Sequence, residues 1–370
     1  MRPRTLVGSF FVVAFLLASL VCNSTMPTPV SMKSAPRRYN GSAAVGDFLA
    51  ITLDPSALTL TYKNLSNGDT GIVPYTVNSD GTYQLSDPKH NLLAAYEVPN
   101  YALLVQAAKS GPNHDALALV VAVQTGTISI NTWAGHDYNY MQFRTAAGGV
   151  EAGSVSLDTQ GDISITSYSP YGSGSGGSPF HVGGFSGSGI HADPSGTFLT
   201  LADNNGTFDY IFGTANGIFA VDTPNGSIFG LKKAAVKDFD PTFAGTYKAI
   251  YYQKTGASTG MGNVETGTPS LGNATMVIDA SAGITVTDAV GTTLVKATLM
   301  PVADTAYLYG AGELQDPCFG LFTFRVTTPT AQRDVFVSFM DRAILFSSFK
   351  ANLPWGSGNT YDYLYGVGLK

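Results

Sequence analysis

From Val45 onward apolar and polar residues alternate with period two, and the alternation breaks again and again at a turn headed by aspartate. Phe48-Leu49-Ala50-Ile51-Thr52-Leu53 and Ala57-Leu58-Thr59-Leu60-Thr61-Tyr62 flank Asp54-Pro55-Ser56. The same shape returns at Val155–Asp158 with Asp162–Thr166, and at Met276–Asp279 with Gly283–Thr287. Looser copies surround Asp193-Pro194-Ser195-Gly196 and Asp222-Thr223-Pro224-Asn225-Gly226. A strand ending in Asp, a short turn and a second strand make a hairpin, and the Asp is expected to cap the turn's backbone amides. No Asp-x-Asp-x-Asp-Gly spacing turns these sites into calcium loops. Long helical patterns are scarce. The chain is therefore expected to be all-β, built as two antiparallel barrel- or sandwich-like domains. A β-propeller is the alternative, although no regular repeat of about 40–45 residues appears.

The organisation follows from shifts in composition. Arg2 and Arg4 precede an apolar run from Leu6 to Val21, then Cys22-Asn23-Ser24-Thr25, the pattern of a secretory leader over residues 1–22. Cys22 invites a lipidation reading, with the thiol acylated and the protein attached to a membrane through it. Ser19 and Val21 stand where a bacterial lipobox has a Leu-like and a small residue, so ordinary cleavage near Cys22 stays open beside it. Residues 23–44 lack periodicity and are rich in Ser, Pro, Thr and Met, as in a flexible tether. The first β-domain is expected over 45–234, with a Gly/Ser-rich loop at 169–189, and the second over 241–370. The segments Asp209–Phe212, Gly217–Phe219 and Ser227–Lys232 close the first half. Asp334–Val337, Ala343–Phe346 and Tyr363–Lys370 close the second in the same order, which suggests a duplication.

The one dense group of functional side chains is Trp133-Ala134-Gly135-His136-Asp137-Tyr138-Asn139-Tyr140-Met141-Gln142-Phe143-Arg144. In a strand, Tyr138, Tyr140 and Gln142 share one face. Rings interleaved with amide, imidazole and guanidinium groups suit a glycan or a small polar ligand, which makes Trp133, His136, Tyr138, Tyr140, Gln142 and Arg144 the candidate binding residues. An aromatic core strand with a polar turn is the plainer reading. Glu97, in Tyr96-Glu97-Val98-Pro99-Asn100-Tyr101, is a carboxylate in an apolar, aromatic setting. Glu151, Glu265 and Glu313 add further carboxylates, but no spacing selects an acid/base pair. His90, His114, His136, His181 and His191 form no metal-ligand motif, and neither a metal nor a cofactor is expected. Cys318 lies in a turn entering an apolar strand, where a packed thiol is expected. Asn-x-Ser/Thr sequons at Asn23, Asn40, Asn64, Asn205, Asn225 and Asn273 are expected to mark surface turns.

Two resemblances add to this. Phe243-Ala244-Gly245-Thr246-Tyr247 resembles the opening of the first strand of a lipocalin-like barrel. The leader ending in Cys22, with Ala95–Leu103 and Tyr138–Arg144, resembles exported lipoprotein-like families of unknown function from Gram-negative bacteria. That resemblance implies an envelope location and assigns no functional residues.

With 20 Lys+Arg against 26 Asp+Glu, the chain has no electrostatic footprint for nucleic acid. Three functions remain. The favoured one is a non-enzymatic envelope or extracellular protein, periplasmic, outer-membrane or secreted, that binds a ligand or a surface. The alternatives are a secreted polysaccharide hydrolase using a carboxylate pair, and a structural surface protein that assembles through strand edges.

Overall fold

The computed structural model describes residues 34–86, 93–110, 116–144, 149–167, 180–185, 189–202, 208–215, 217–224, 226–257, 266–302, 319–328, 331–351 and 360–370. The protein is all-β, and residues 34–370 form one compact unit.

Eight strands make a closed antiparallel barrel in which each strand pairs with its sequence neighbours: β1 (Arg37–Ala43), β2 (Phe48–Asp54), β3 (Thr59–Asn64), β4 (Thr70–Val77), β5 (Tyr83–Leu85), β6 (Leu93–Val98), β7 (Ala102–Ser110) and β8 (Ala116–Gln124). β1 closes on β8, with Gly41 opposite Ala122. A Cβ at Gly41 would stand 2.8 Å from that of Ala122, so the closure needs glycine there. The lumen is filled by Tyr39, Leu49, Ile51, Leu53, Leu60, Tyr75, Leu85, Ala95, Leu103 and Val120. β1 lies inside the stretch expected as a tether, and five of its seven residues are buried. β8 reads as an unbroken apolar run because its other face, with Leu119, Val121 and Val123, is also buried.

Two nine-stranded sheets follow. The first contains β9 (His136–Arg144), β10 (Gly149–Leu157), β11 (Ile163–Ser167), β12 (Phe180–Phe185), β13 (Ile190–Ala192), β14 (Leu199–Ala202), β15 (Phe208–Thr214), β16 (Ile218–Thr223) and β17 (Gly226–Lys232). The second contains β18 (Gly245–Ala257), β19 (Thr266–Ile278), β20 (Gly283–Asp288), β21 (Thr293–Thr298), β22 (Met300–Pro301), β23 (Leu321–Thr328), β24 (Ala331–Met340), β25 (Ala343–Ala351) and β26 (Thr360–Leu369). Their topologies are identical: four strands run outward from the first, five run back, and the last pairs with the first. Each sheet is entered through a 3-10 turn, Ile130–Thr132 or Pro241–Phe243. The three closing segments of each sequence half fill equivalent places, β15, β16, β17 and β24, β25, β26.

The aspartate turns form as their sequences suggest. Asp54 Oδ1 accepts from the amides of Ser56 and Ala57, Asp158 Oδ1 from Gln160 and Asp162, Asp193 Oδ1 from Ser195, and Asp279 Oδ1 from Ser281 and Gly283. Asp222 departs from the pattern. It is buried and accepts a hydrogen bond from Ser42 Oγ on β1, where the barrel meets the first sheet. Two sequons also depart from their expected surface turns. Asn40 is buried in β1, with Nδ2 donating to the Thr197 carbonyl at 2.8 Å, and Asn64 is buried with Oδ1 capping Ser66.

Candidate functional site

Within the segment Trp133–Arg144, Trp133 and residues 138–143 are buried, while Gly135 and Asp137 are exposed. β9 is hydrogen-bonded on both sides, to β10 and β17. Trp133, Tyr138 and Tyr140 are 0%, 1% and 0% exposed. The Trp133 indole donates to the carbonyls of Ile218 and Thr214 and meets Phe219 edge-on at 5.6 Å. Gln142 is buried as well, while His136 at the strand's start is half-buried. Arg144 ends the strand, opposite Gly149 and Gly226. The predicted face is real, since Tyr138 and Tyr140 do lie together, but it faces Val155, Leu157, Ile163 and Phe219 instead of solvent. Cys22, Cys318, His90, His114, Glu265 and Glu313 lie outside the described residues. His191 is exposed on β13.

Glu97 lies at the end of the barrel lumen, and its carboxylate is closed off. Arg37 grips it through two nitrogens, Nε to Oε1 at 2.5 Å and Nη2 to Oε2 at 2.6 Å. The Tyr39 hydroxyl donates to Oε1, and the Tyr83 hydroxyl to Oε2 at 2.7 Å. Burial first, and then the acceptor carboxylate, push both phenols above the ordinary tyrosine range. Four donors on a buried carboxylate hold it as an anchor for β1, β5 and β6. Its aromatic setting is legible in the sequence, whereas its guanidinium partner is 60 residues away.

A cleft of about 200 Å³ opens where the barrel meets the second sheet. The barrel supplies Asp80 and Thr82 from the β4–β5 turn and Ala94–Tyr96 from β6. The second sheet supplies Lys248–Ile250, Asn273–Thr275, Asp288 and Ala289. Lys248 Nζ reaches across to Asp80 Oδ2 at 3.4 Å. Hydrogen bonds from Thr82 hold the Asp80 carboxyl below its usual range, with Lys248 contributing less. The floor is fixed by Gln106, which accepts from the Ala94 amide and donates to Asn273 Oδ1 at 2.9 Å. Among the described residues, the Tyr96 hydroxyl and Asn273 Nδ2 have no hydrogen-bond partner. No local motif could reveal this site, because Asp80 and Lys248 are 168 residues apart.

No protein-family model matches the chain, and no curated protein sequence matches it. Among solved structures, a point mutant of the vaccine antigen Transferrin Binding Protein B from Haemophilus parasuis Hp5 is 7% identical; the match covers 91% of this chain and 77% of that one, with a TM-score of 0.23. Intact Ap-TbpB, with its N and C lobes, is 9% identical over the same shares at a TM-score of 0.25. A DUF3598-family protein of unknown function from Nostoc punctiforme is 8% identical, covering 90% of this chain and 94% of that one, at a TM-score of 0.16. At these values the likenesses carry nothing about what this chain binds.

Proposed function

We propose that the protein is an exported, non-enzymatic binding protein of the cell envelope or extracellular space, which takes a small polar ligand in the cleft between the barrel and the second sheet. The cleft carries this reading. Its walls are rigid strands, it opens to solvent, and it presents an unpaired phenol and amide beside the Asp80–Lys248 pair. Ligand pockets for drug-sized molecules run to about 300–1,000 Å³, so this one suits a single sugar or an amino acid. The basic and apolar leader supports export. The hydrolase reading loses its best acid, since Glu97 accepts four hydrogen bonds and has no lone carboxyl to offer.

The test is a thermal-shift screen of the full-length protein against monosaccharides and free amino acids, followed by calorimetry on any compound that raises the melting temperature. Tyr96→Phe and Asn273→Ala should each weaken that compound by about tenfold, one hydrogen bond apiece. A screen without a stabilising compound, or affinity unchanged in both variants, overturns the reading.

A further inference from the structure

The charged groups of the cleft carry a pattern of their own. Asp80 is fixed in place: its Oδ1 accepts from the Thr82 amide at 3.1 Å and from the Thr82 hydroxyl at 2.6 Å, and the Asn78 side-chain amide holds that hydroxyl in turn at 2.9 Å. All of this falls on one oxygen. Among the described residues, Oδ2 meets only Lys248 Nζ, at 3.4 Å, longer than an ordinary N–H···O bond. Lys248 rises from β18 opposite Thr275 on β19, and its ammonium has no other partner among the described residues. The Lys248 and Asp80 side chains are 33% and 48% exposed, so the pair is a weak surface contact that splits at little cost.

The unused groups around this pair are mostly donors. Lys248 has spare ammonium hydrogens, and Asn273 Nδ2 and the Tyr96 hydroxyl have no partner among the described residues. Against them stands one fixed acceptor, Asp80 Oδ2. Asp288 also lines the cleft, and its Oδ1 is taken by the amides of Val290 and Thr292. Two carboxylates beside one ammonium disfavour a ligand with net negative charge. A neutral sugar would leave the opposed charges unused, and of the lining residues Tyr96 alone offers a ring to stack on. The apolar part of the lining is modest, with Ala94, Ala289 and Ile250.

We infer that the ligand of the cleft is a zwitterion, a free α-amino acid with a small side chain; this rests on the reading that the cleft is the binding site. The ligand's ammonium takes the place of Lys248 at Asp80 Oδ2. Its carboxylate accepts from the released Lys248 ammonium and from Asn273 Nδ2. Every charge stays paired through the exchange, since one protein ion pair becomes two pairs with the ligand. The Asp80 end belongs to the barrel and the Lys248 end to the second sheet, so the amino acid bridges the two. A cleft of about 200 Å³ with little apolar lining suits a short side chain.

L-Alanine is the probe, titrated calorimetrically into the full-length protein at neutral pH and low ionic strength. N-acetyl-L-alanine, which lacks the ammonium, and L-alaninamide, which lacks the carboxylate, are the controls. L-Alanine should bind more tightly than both. Asp80→Asn, which can still accept from Thr82, should weaken L-alanine and L-alaninamide by about tenfold and spare N-acetyl-L-alanine. Lys248→Met should weaken L-alanine by about tenfold and spare L-alaninamide. A substitution that merely loosened the cleft would weaken all three compounds alike. Should Lys248→Met aggregate, Lys248→Gln replaces it. Absence of L-alanine binding, equal affinity for N-acetyl-L-alanine, or an equal loss for all three compounds in either variant overturns the proposal. A monosaccharide that binds and is weakened by Tyr96→Phe, with L-alanine inert, overturns the zwitterion and leaves the cleft standing; a protein that answers to neither compound overturns both.

Discussion

Asp222 shows how one residue can break a pattern repeated five times in the sequence. Its counterparts at Asp54, Asp158, Asp193 and Asp279 cap exposed turns. Asp222 is 2% exposed and bonded to Ser42, because the hairpin after β1 presses on the turn between β16 and β17. Gly46 in that hairpin has φ +92°, and a Cβ there would stand 2.5 Å from the Pro224 carbonyl oxygen. Burial pushes the Asp222 carboxyl well above the usual carboxylate range; Ser42 pulls it back, while Asp47 and Asp209 add to the rise. With the native value raised, the folded protein holds a proton that the unfolded chain releases above about pH 3.8. The contribution of Asp222 is therefore most favourable in acid and declines as pH climbs from there. Asp222→Asn should match the parent near pH 4 and gain on it steadily towards pH 8 in urea midpoints. Parallel pH curves would refute a neutral Asp222. Trp133 teaches the complementary lesson. Its ring and its polar neighbours are legible in sequence as a rich cluster, but a strand buried on both faces has the same composition as a binding strip. Trp133→Ala should cost about 3–5 kcal/mol of stability, read from a thermal or urea melt, and should leave cleft ligand affinity unchanged in the folded fraction.

At the scale of elements, most of the fold was legible because hairpins are local. The Asp turn fixes where a strand ends, and period two fixes which face it buries. β2 and β3 follow this closely, with Asp54 heading their turn. The missing information is of a different kind: which strands close a sheet, and which faces are covered twice. β1 follows a stretch rich in Ser, Pro, Thr and Met and looks like the end of a tether. Its partners β2 and β8 and the carboxylate of Glu97 draw it into the barrel. The turn between β2 and β3 also carries a local conflict. Leu58 has φ +53° and is 43% exposed, so its side chain adds little burial to offset a left-handed backbone. That conformation costs an L-residue about 1–2 kcal/mol, against about 0.5–1 kcal/mol of extra chain entropy for glycine. Leu58→Gly should therefore stabilise the protein by about 0.5–1 kcal/mol, seen as a higher urea midpoint with an unchanged slope. A lower midpoint would mean that the Leu58 side chain packs more than its exposure indicates.

At the scale of the whole molecule, one core ties the barrel to both sheets. Phe48, Leu104, Leu119 and Val121 come to it from the outside of the barrel. Met141, Phe143, Phe212 and Phe229 come from the first sheet, and Ile250, Tyr252, Phe336, Leu345, Tyr365 and Val367 from the second. Phe48 alone touches Phe198, Tyr210 and Phe212, at ring distances of 5.0, 4.5 and 5.3 Å. None of the three parts can leave without exposing a face of large side chains, at about 25 cal/mol for each Å² of apolar surface returned to water. The residues of the cleft lie at the margin of this shared core, where the barrel meets the second sheet and neither part's own periodicity decides what is placed there. Unfolding is then expected to be a single transition for residues 34–370, with calorimetric and van't Hoff enthalpies in agreement and fluorescence and circular dichroism curves that superimpose. The fragment 241–370 would expose Tyr252, Phe336, Leu345, Tyr365 and Val367 together, and should not unfold cooperatively by itself. Two resolved transitions in the full chain, or a sharp melt of the isolated fragment, would show that the second sheet carries a sufficient core of its own, centred on Tyr247, Phe322, Phe324, Val337 and Phe339, and that the shared face is an interface between independently stable domains.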